Sequence, residues 1–219
     1  MNRTLALAAL LAALATSRAD LVIEQKIEAA GKPAAMSTLK MKGTKLRVDT
    51  DTVAGAVSTI VDLETRESLT LLHASKLAMK MTAAETKATL EMLRTRAGAG
   101  GNLDTSKTVA TGRKEMVGDW NAEVFTSKDG ARTIWVTSDL PNFAKVKERL
   151  DKLSTPPAPV SKKSAAREPP LPGVIVKTEI AAAEQTFTTT ILSVEEEDLE
   201  AALFEAPPDY RETTKPAAK

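Results

Sequence analysis

The sequence predicts a mainly β protein, a strongly curved antiparallel sheet or incompletely closed β-barrel of about eleven strands with two amphipathic helices over its concave face. Three observations carry this. Apolar and polar residues alternate with period two through most of the chain, Gly-containing turns separate the short runs, and the period lengthens to that of a helix in only two places. Aromatics make up 3% of the 219 residues and there is no Cys, so the core must be built from Val, Ile, Leu and Met without a disulfide.

The first nineteen residues stand apart. Arg3 precedes an eleven-residue run of Leu and Ala, Leu5 to Ala15, and Thr16-Ser17-Arg18-Ala19 closes in a small-x-small pattern. This is the layout of a secretory signal peptide with cleavage between Ala19 and Asp20. The run is shorter than the ~20 residues a transmembrane helix needs. Cleavage there leaves 200 of the 219 residues, and the loss of Arg3 and Arg18 with no acid takes the formal charge from +1 to −1. A near-neutral balance with interleaved signs argues against nucleic acid as a partner. The expectation is a soluble protein, periplasmic or, alternatively, secreted, with no transmembrane segment.

From Asp20 onward the elements follow in order. Leu21, Ile23, Ile27 and Ala29 alternate with polar neighbours, and Gly31-Lys32-Pro33 turns the chain. Leu39 and Met41, then Leu46 and Val48 after Gly43-Thr44, read as a hairpin. Strands at about 57–63, 67–73 and 76–81 complete a six-stranded meander. Thr82-Ala83-Ala84-Glu85 is a capping box that opens a helix over about 83–97, with Leu90 and Leu93 at helical spacing. Strands are expected again at 107–117, 120–127 and 131–137. A second helix over 141–153 carries Phe143, Val146, Leu150 and Leu153 on one narrow stripe. Residues 154–172 hold six of the eleven prolines and read as a loop. Two more strands, about 174–181 and 185–194, lead into a short acidic helical turn from Glu195. The two strands after the loop are too few for a core of their own, so residues 20–212 form a single domain and 213–219 a flexible tail.

Together, Met41-Lys42-Gly43-Thr44-Lys45-Leu46-Arg47-Val48-Asp49, the strand around Ile60 to Glu64, the hairpin from Thr111-Gly112 to Val124 and the terminal Leu203-Phe204-x-x-Pro207-x-x-Tyr210 element bear a likeness. In that order along an exported chain they resemble a family of uncharacterised bacterial envelope domains related in fold to the outer-membrane lipoprotein carriers. The resemblance implies a curved, open sheet whose helices cover an apolar concavity, and in the carriers that concavity takes acyl chains.

Catalytic constellations fail one by one. His73 is the only histidine, which removes paired-His metal sites, and no G-x-S-x-G elbow is present. Asp49 and Asp51 lack the Gly and terminal Glu of a calcium loop and read as turn residues. No catalytic residue, metal or cofactor is expected. The feature with functional content is an aliphatic, Met-rich inner face of Met36, Leu39, Met41, Leu46, Val48, Leu77, Met79 and Met81. Met adapts to apolar partners of irregular shape. Lys42 and Arg47 are the candidate rim charges for a lipid headgroup, although the alternation itself turns them outward. Two readings follow: a non-enzymatic binder of a lipid or acylated peptide in an apolar concavity, or an envelope structural or interaction module with a filled core.

Overall fold

The computed structural model describes residues 20–52, 55–96, 108–154, 171–182 and 185–214. The predicted signal segment with Ala19, the glycines at 98–101 and most of the Pro-rich stretch lie outside them. Among the described residues twelve strands form one sheet, one more than expected, in the order β12-β6-β5-β4-β3-β2-β1-β11-β10-β9-β8-β7. The sheet is curved and open: β12 and β7 are its two edges and do not pair with each other.

The first wing is a meander of β1 (Asp20–Ala29), β2 (Ala35–Lys42), β3 (Lys45–Thr52), β4 (Gly55–Asp62), β5 (Ser68–Leu72) and β6 (Leu77–Met81). The second wing is β7 (Thr108–Val117), β8 (Trp120–Ser127), β9 (Arg132–Thr137), β10 (Val174–Ala182) and β11 (Gln185–Glu197). Each strand pairs antiparallel with its sequence neighbour, and β11 closes on β1 to join the wings. The two-residue turns at Gly43 and Gly118 have φ of +57° and +58° at their first position only. That is the pattern of a type II′ hairpin, which Gly enters without steric cost.

Two expectations are corrected at the C-terminal end. Glu195–Glu197 do not start a helical turn; they extend β11 and pair with Val22, Leu21 and Asp20. Ten residues of β1 stand ready to satisfy their backbone groups, which outweighs the local acidic composition. The predicted tail begins within β12 (Arg211–Thr214), which pairs parallel with β6 from Leu77 to Lys80.

Helix α1 (Ala83–Arg96) starts where the capping box predicts: the Thr82 amide donates to Glu85 Oε2 at 2.8 Å and the Glu85 amide to Thr82 Oγ1 at 3.4 Å. The Thr86 hydroxyl meets that of Ser68 at 2.8 Å, both buried, which seats its first turn on the sheet. The side chains of Leu90 and Leu93 lie outside the described residues. Helix α2 (Phe143–Ser154) buries Val146, with Phe143 and Leu150 half-buried around the same cluster. That cluster joins Leu21, Ile23 and Met41 of the first wing to Val124, Trp135, Val174 and Val176 of the second. A second cluster lies on the other side of the first wing, where Leu199 and Phe204 cover Val22, Ile60, Leu71 and Ala78. The segment after β11, residues 199–210, is therefore a strap over the face opposite α2. A third, smaller cluster gathers Phe125, Ile134 and Val136.

Candidate functional site

The register of the first wing sorts every predicted site residue onto a face. One row runs Leu21, Met41, Leu46, Val61, Ser68, Met81; the next runs Ile23, Leu39, Val48, Thr59, Thr70, Met79; a third contains Val57, Leu72 and Leu77. Side chains alternate across a strand, so each row lies on one face, here the side occupied by α2. Seven of the eight predicted inner-face residues are thus brought together.

They are not equivalent. Met41 is 3% exposed inside the cluster under α2, with Leu39 and Leu46 packed against its margin. Val48, Leu77, Met79 and Met81 are half-buried and lie outside all three buried clusters, as do Val57, Val61 and Leu72. The face changes along the wing from a packed core to a partly buried, mainly apolar surface. At its Met81 corner the Thr89 hydroxyl of α1 approaches the sulfur at 3.9 Å.

Met36 is the exception and is corrected. It has the opposite parity to Leu39 and Met41 and is 45% exposed on the strap side. An Ala-Met-Ser-Thr-Leu run leaves the point where strict alternation begins ambiguous by one residue, and one residue changes the face.

Lys42 and Arg47 are also on the strap side, not at a rim of the apolar face. Lys42 donates to Asp20 Oδ2 at 2.8 Å, and this hydrogen bond raises the lysine pKa above its ordinary value. The same Asp20 oxygen accepts from the Leu199 amide at 3.1 Å, so Asp20, which is buried, pins the start of the strap. Arg47 reaches three partners: Nε donates to Asp49 Oδ1 at 2.6 Å, Nη2 to Ser58 Oγ at 2.9 Å and Nη1 to the Leu203 carbonyl at 2.5 Å.

Around Arg47 lies a polar network that the sequence did not reveal. Lys40 Nζ donates to Asp49 Oδ2 at 2.9 Å, and Ser58 Oγ to Asp49 Oδ1 at 2.5 Å. Burial opposes ionisation of Asp49, but the bonds from Ser58, Lys40 and Arg47 together outweigh it and hold its pKa below the ordinary value. His73 Nε2 lies 2.7 Å from Ser58 Oγ, and Nδ1 lies 2.6 Å from the Tyr210 hydroxyl. Ser58 has one proton and gives it to Asp49, so His73 Nε2 must donate to Ser58, leaving Nδ1 to accept from Tyr210. His73 does occupy a strand end, as expected, but it joins the strap to β4. The one local signal was the alternation that puts Arg47 and Asp49 on the face of β3 opposite Leu46 and Val48. A recess of about 250 Å³ opens beside Arg47, Asp49, Ser58 and His73.

The fold has a counterpart among solved structures. An uncharacterised conserved protein from Thermus thermophilus has a similar structure, with a TM-score of 0.52 and 7% identity over 90% of this chain and 91% of its own. That likeness concerns the fold alone. LprF from Mycobacterium bovis aligns with a TM-score of 0.38 and 9% identity over 87% and 90% of the two chains. A LolA superfamily protein from Nitrosomonas europaea aligns at 0.31 and 10% over 85% and 89%. No curated protein matches the chain significantly. The profile described as Domain of unknown function (DUF4412) matches residues 22–210, nearly the whole sheet and strap. The chain belongs to that family.

Proposed function

We propose that the partly buried apolar face of β3 to β6 binds the acyl part of a lipid or lipid-modified peptide, in an exported, periplasmic and non-enzymatic protein. The observation that carries this is the change of burial along one face: Met41 is sealed under α2, whereas Val48, Leu77 and Met79 in the adjoining rows are only partly buried. Apolar side chains left incompletely covered on one face of a sheet suit an interaction site, and here Thr59, Thr70 and Ser68 are set among them. The signal layout of residues 1–19 supports an envelope location. The proton arrangement around His73 supports a role without catalysis, since an imidazole that donates to Ser58 cannot take its proton.

The competing reading, an interaction module with a filled core, draws on the burial of Met41, Leu21 and Ile23 beneath α2. Met79→Trp separates the two. If the face takes acyl chains, native mass spectrometry of the protein from its own envelope finds bound lipid, and the variant loses it with little change in stability. If α1 closes the face tightly, the variant is destabilised by about 1–3 kcal/mol and neither form carries lipid.

A further inference from the structure

The strap side holds a second feature, a groove of about 730 Å³ between the strap and the ends of β4, β5 and β6. This volume falls within the range of ligand pockets. Ile60, Leu69, Phe204 and Ala206 line its floor and belong to the strap-side apolar cluster. Its walls carry five carboxylates, Asp62, Glu67, Glu85, Glu205 and Glu212, against only Lys45 and Lys80. Lys80 is already taken by Glu212, at 2.9 and 2.8 Å to its two oxygens. Among the described residues no ion pair reaches Asp62, Glu67 or Glu205. The excess is local, because the chain as a whole has a formal charge of +1. The acids are also spread along the groove: among the described residues no three His, Cys, Asp or Glu side chains gather to hold a metal ion.

We propose that this groove binds an extended lysine- or arginine-rich segment of a partner protein. Separated carboxylates suit several separated cations better than one ion, and the apolar floor calls for side chains that a simple polycation lacks. An extended peptide supplies both, since alternate residues point to opposite sides. Binding is then electrostatically steered and sensitive to salt.

The test is fluorescence anisotropy of the purified chain with a labelled octapeptide alternating Leu and Lys, its Leu–Glu counterpart, and spermine as a competitor. The Leu–Lys peptide binds, the Leu–Glu peptide does not, and raising salt from about 0.05 to about 0.5 M weakens the complex. The double variant Glu67→Gln/Glu205→Gln weakens binding about five- to tenfold, as expected for two partly exposed charge contacts. Both side chains are exposed, so the variant retains its fold, which circular dichroism and thermal melting check. Absence of binding, unchanged affinity in the double variant, or spermine binding as tightly as the peptide overturns the proposal.

Discussion

The sheet has two covers, and they are held by different physics. Helix α2 is seated by Phe143, Val146 and Leu150 on an apolar cluster that spans both wings. The strap on the other side buries Leu199 and Phe204, and is otherwise stitched by directional polar bonds with Asp20, Arg47 and His73. Apolar burial has little directionality, so α2 owes its place to total area and shape. The bond that Arg47 donates to the Leu203 carbonyl and the one that the Tyr210 hydroxyl donates to His73 each fix a particular strap atom, so the strap has one register. The difference teaches that loss of a cover should be gradual in the first case and partner-specific in the second.

The largest effect tests the apolar cover. Val146 is 1% exposed, and Val146→Asp would bury an unpaired carboxylate. The expected result is loss of cooperative unfolding, or a destabilisation above about 4 kcal/mol, in urea titrations followed by tryptophan fluorescence.

Next comes the polar cover. Arg47→Ala leaves Asp49, Ser58 and the Leu203 carbonyl short of a donor beneath the strap, at a cost of about 3 kcal/mol. Arg47→Lys recovers little of this, because an ammonium cannot reproduce a three-way planar fork. Hydrogen exchange should rise in residues 199–210 in both variants, with α2 unchanged. If α2 opens equally, the two covers are not independent.

A smaller effect sharpens the electrostatics. The Asp49 pKa is lower in the folded protein than in the unfolded chain, so its network adds stability above the ordinary carboxylate pKa of about 3.9. That contribution is lost as pH falls through the lower, folded value. Urea midpoints should therefore place Asp49→Asn well below the parent at pH 5, with the gap closing as pH drops towards 2. A constant gap would mean that Asp49 acts through shape alone.

The smallest effect is a control. Lys76 and Asp209 pair at 2.7 Å at the end of the strap, both more than half exposed. Lys76→Ala should leave the urea midpoint almost unchanged, and any small difference should vanish at high salt.

Much of this architecture is written locally. Period-two alternation set the strands of both wings, Gly43 and Gly118 set two of their turns, and the Thr82–Glu85 pair set the start of α1. The stripe of Phe143, Val146 and Leu150 predicted which side of α2 is buried. Those features depend on residues a few positions apart, where geometry is fixed by backbone repeat and side-chain size. The candidate apolar face was legible for the same reason, and Met36 was misplaced only where the phase of the alternation was ambiguous.

What the tertiary structure alone decided involves distant partners. Arg47 and the Leu203 carbonyl are 156 residues apart, and His73 and Tyr210 are 137 apart. Nothing in Arg47 or His73 distinguishes a solvent-facing strand residue from one beneath a strap, because parity names a face and not what covers it. Likewise Glu195–Glu197 carry the composition of a solvated turn and become strand only because β1 offers them ten residues of backbone to pair with. Local sequence therefore specified most of the strands, several turns and most of the apolar face. Which face would be sealed, by what, and with which polar partners followed from long-range pairing, whose energy depends on groups that meet only once the chain has closed on itself.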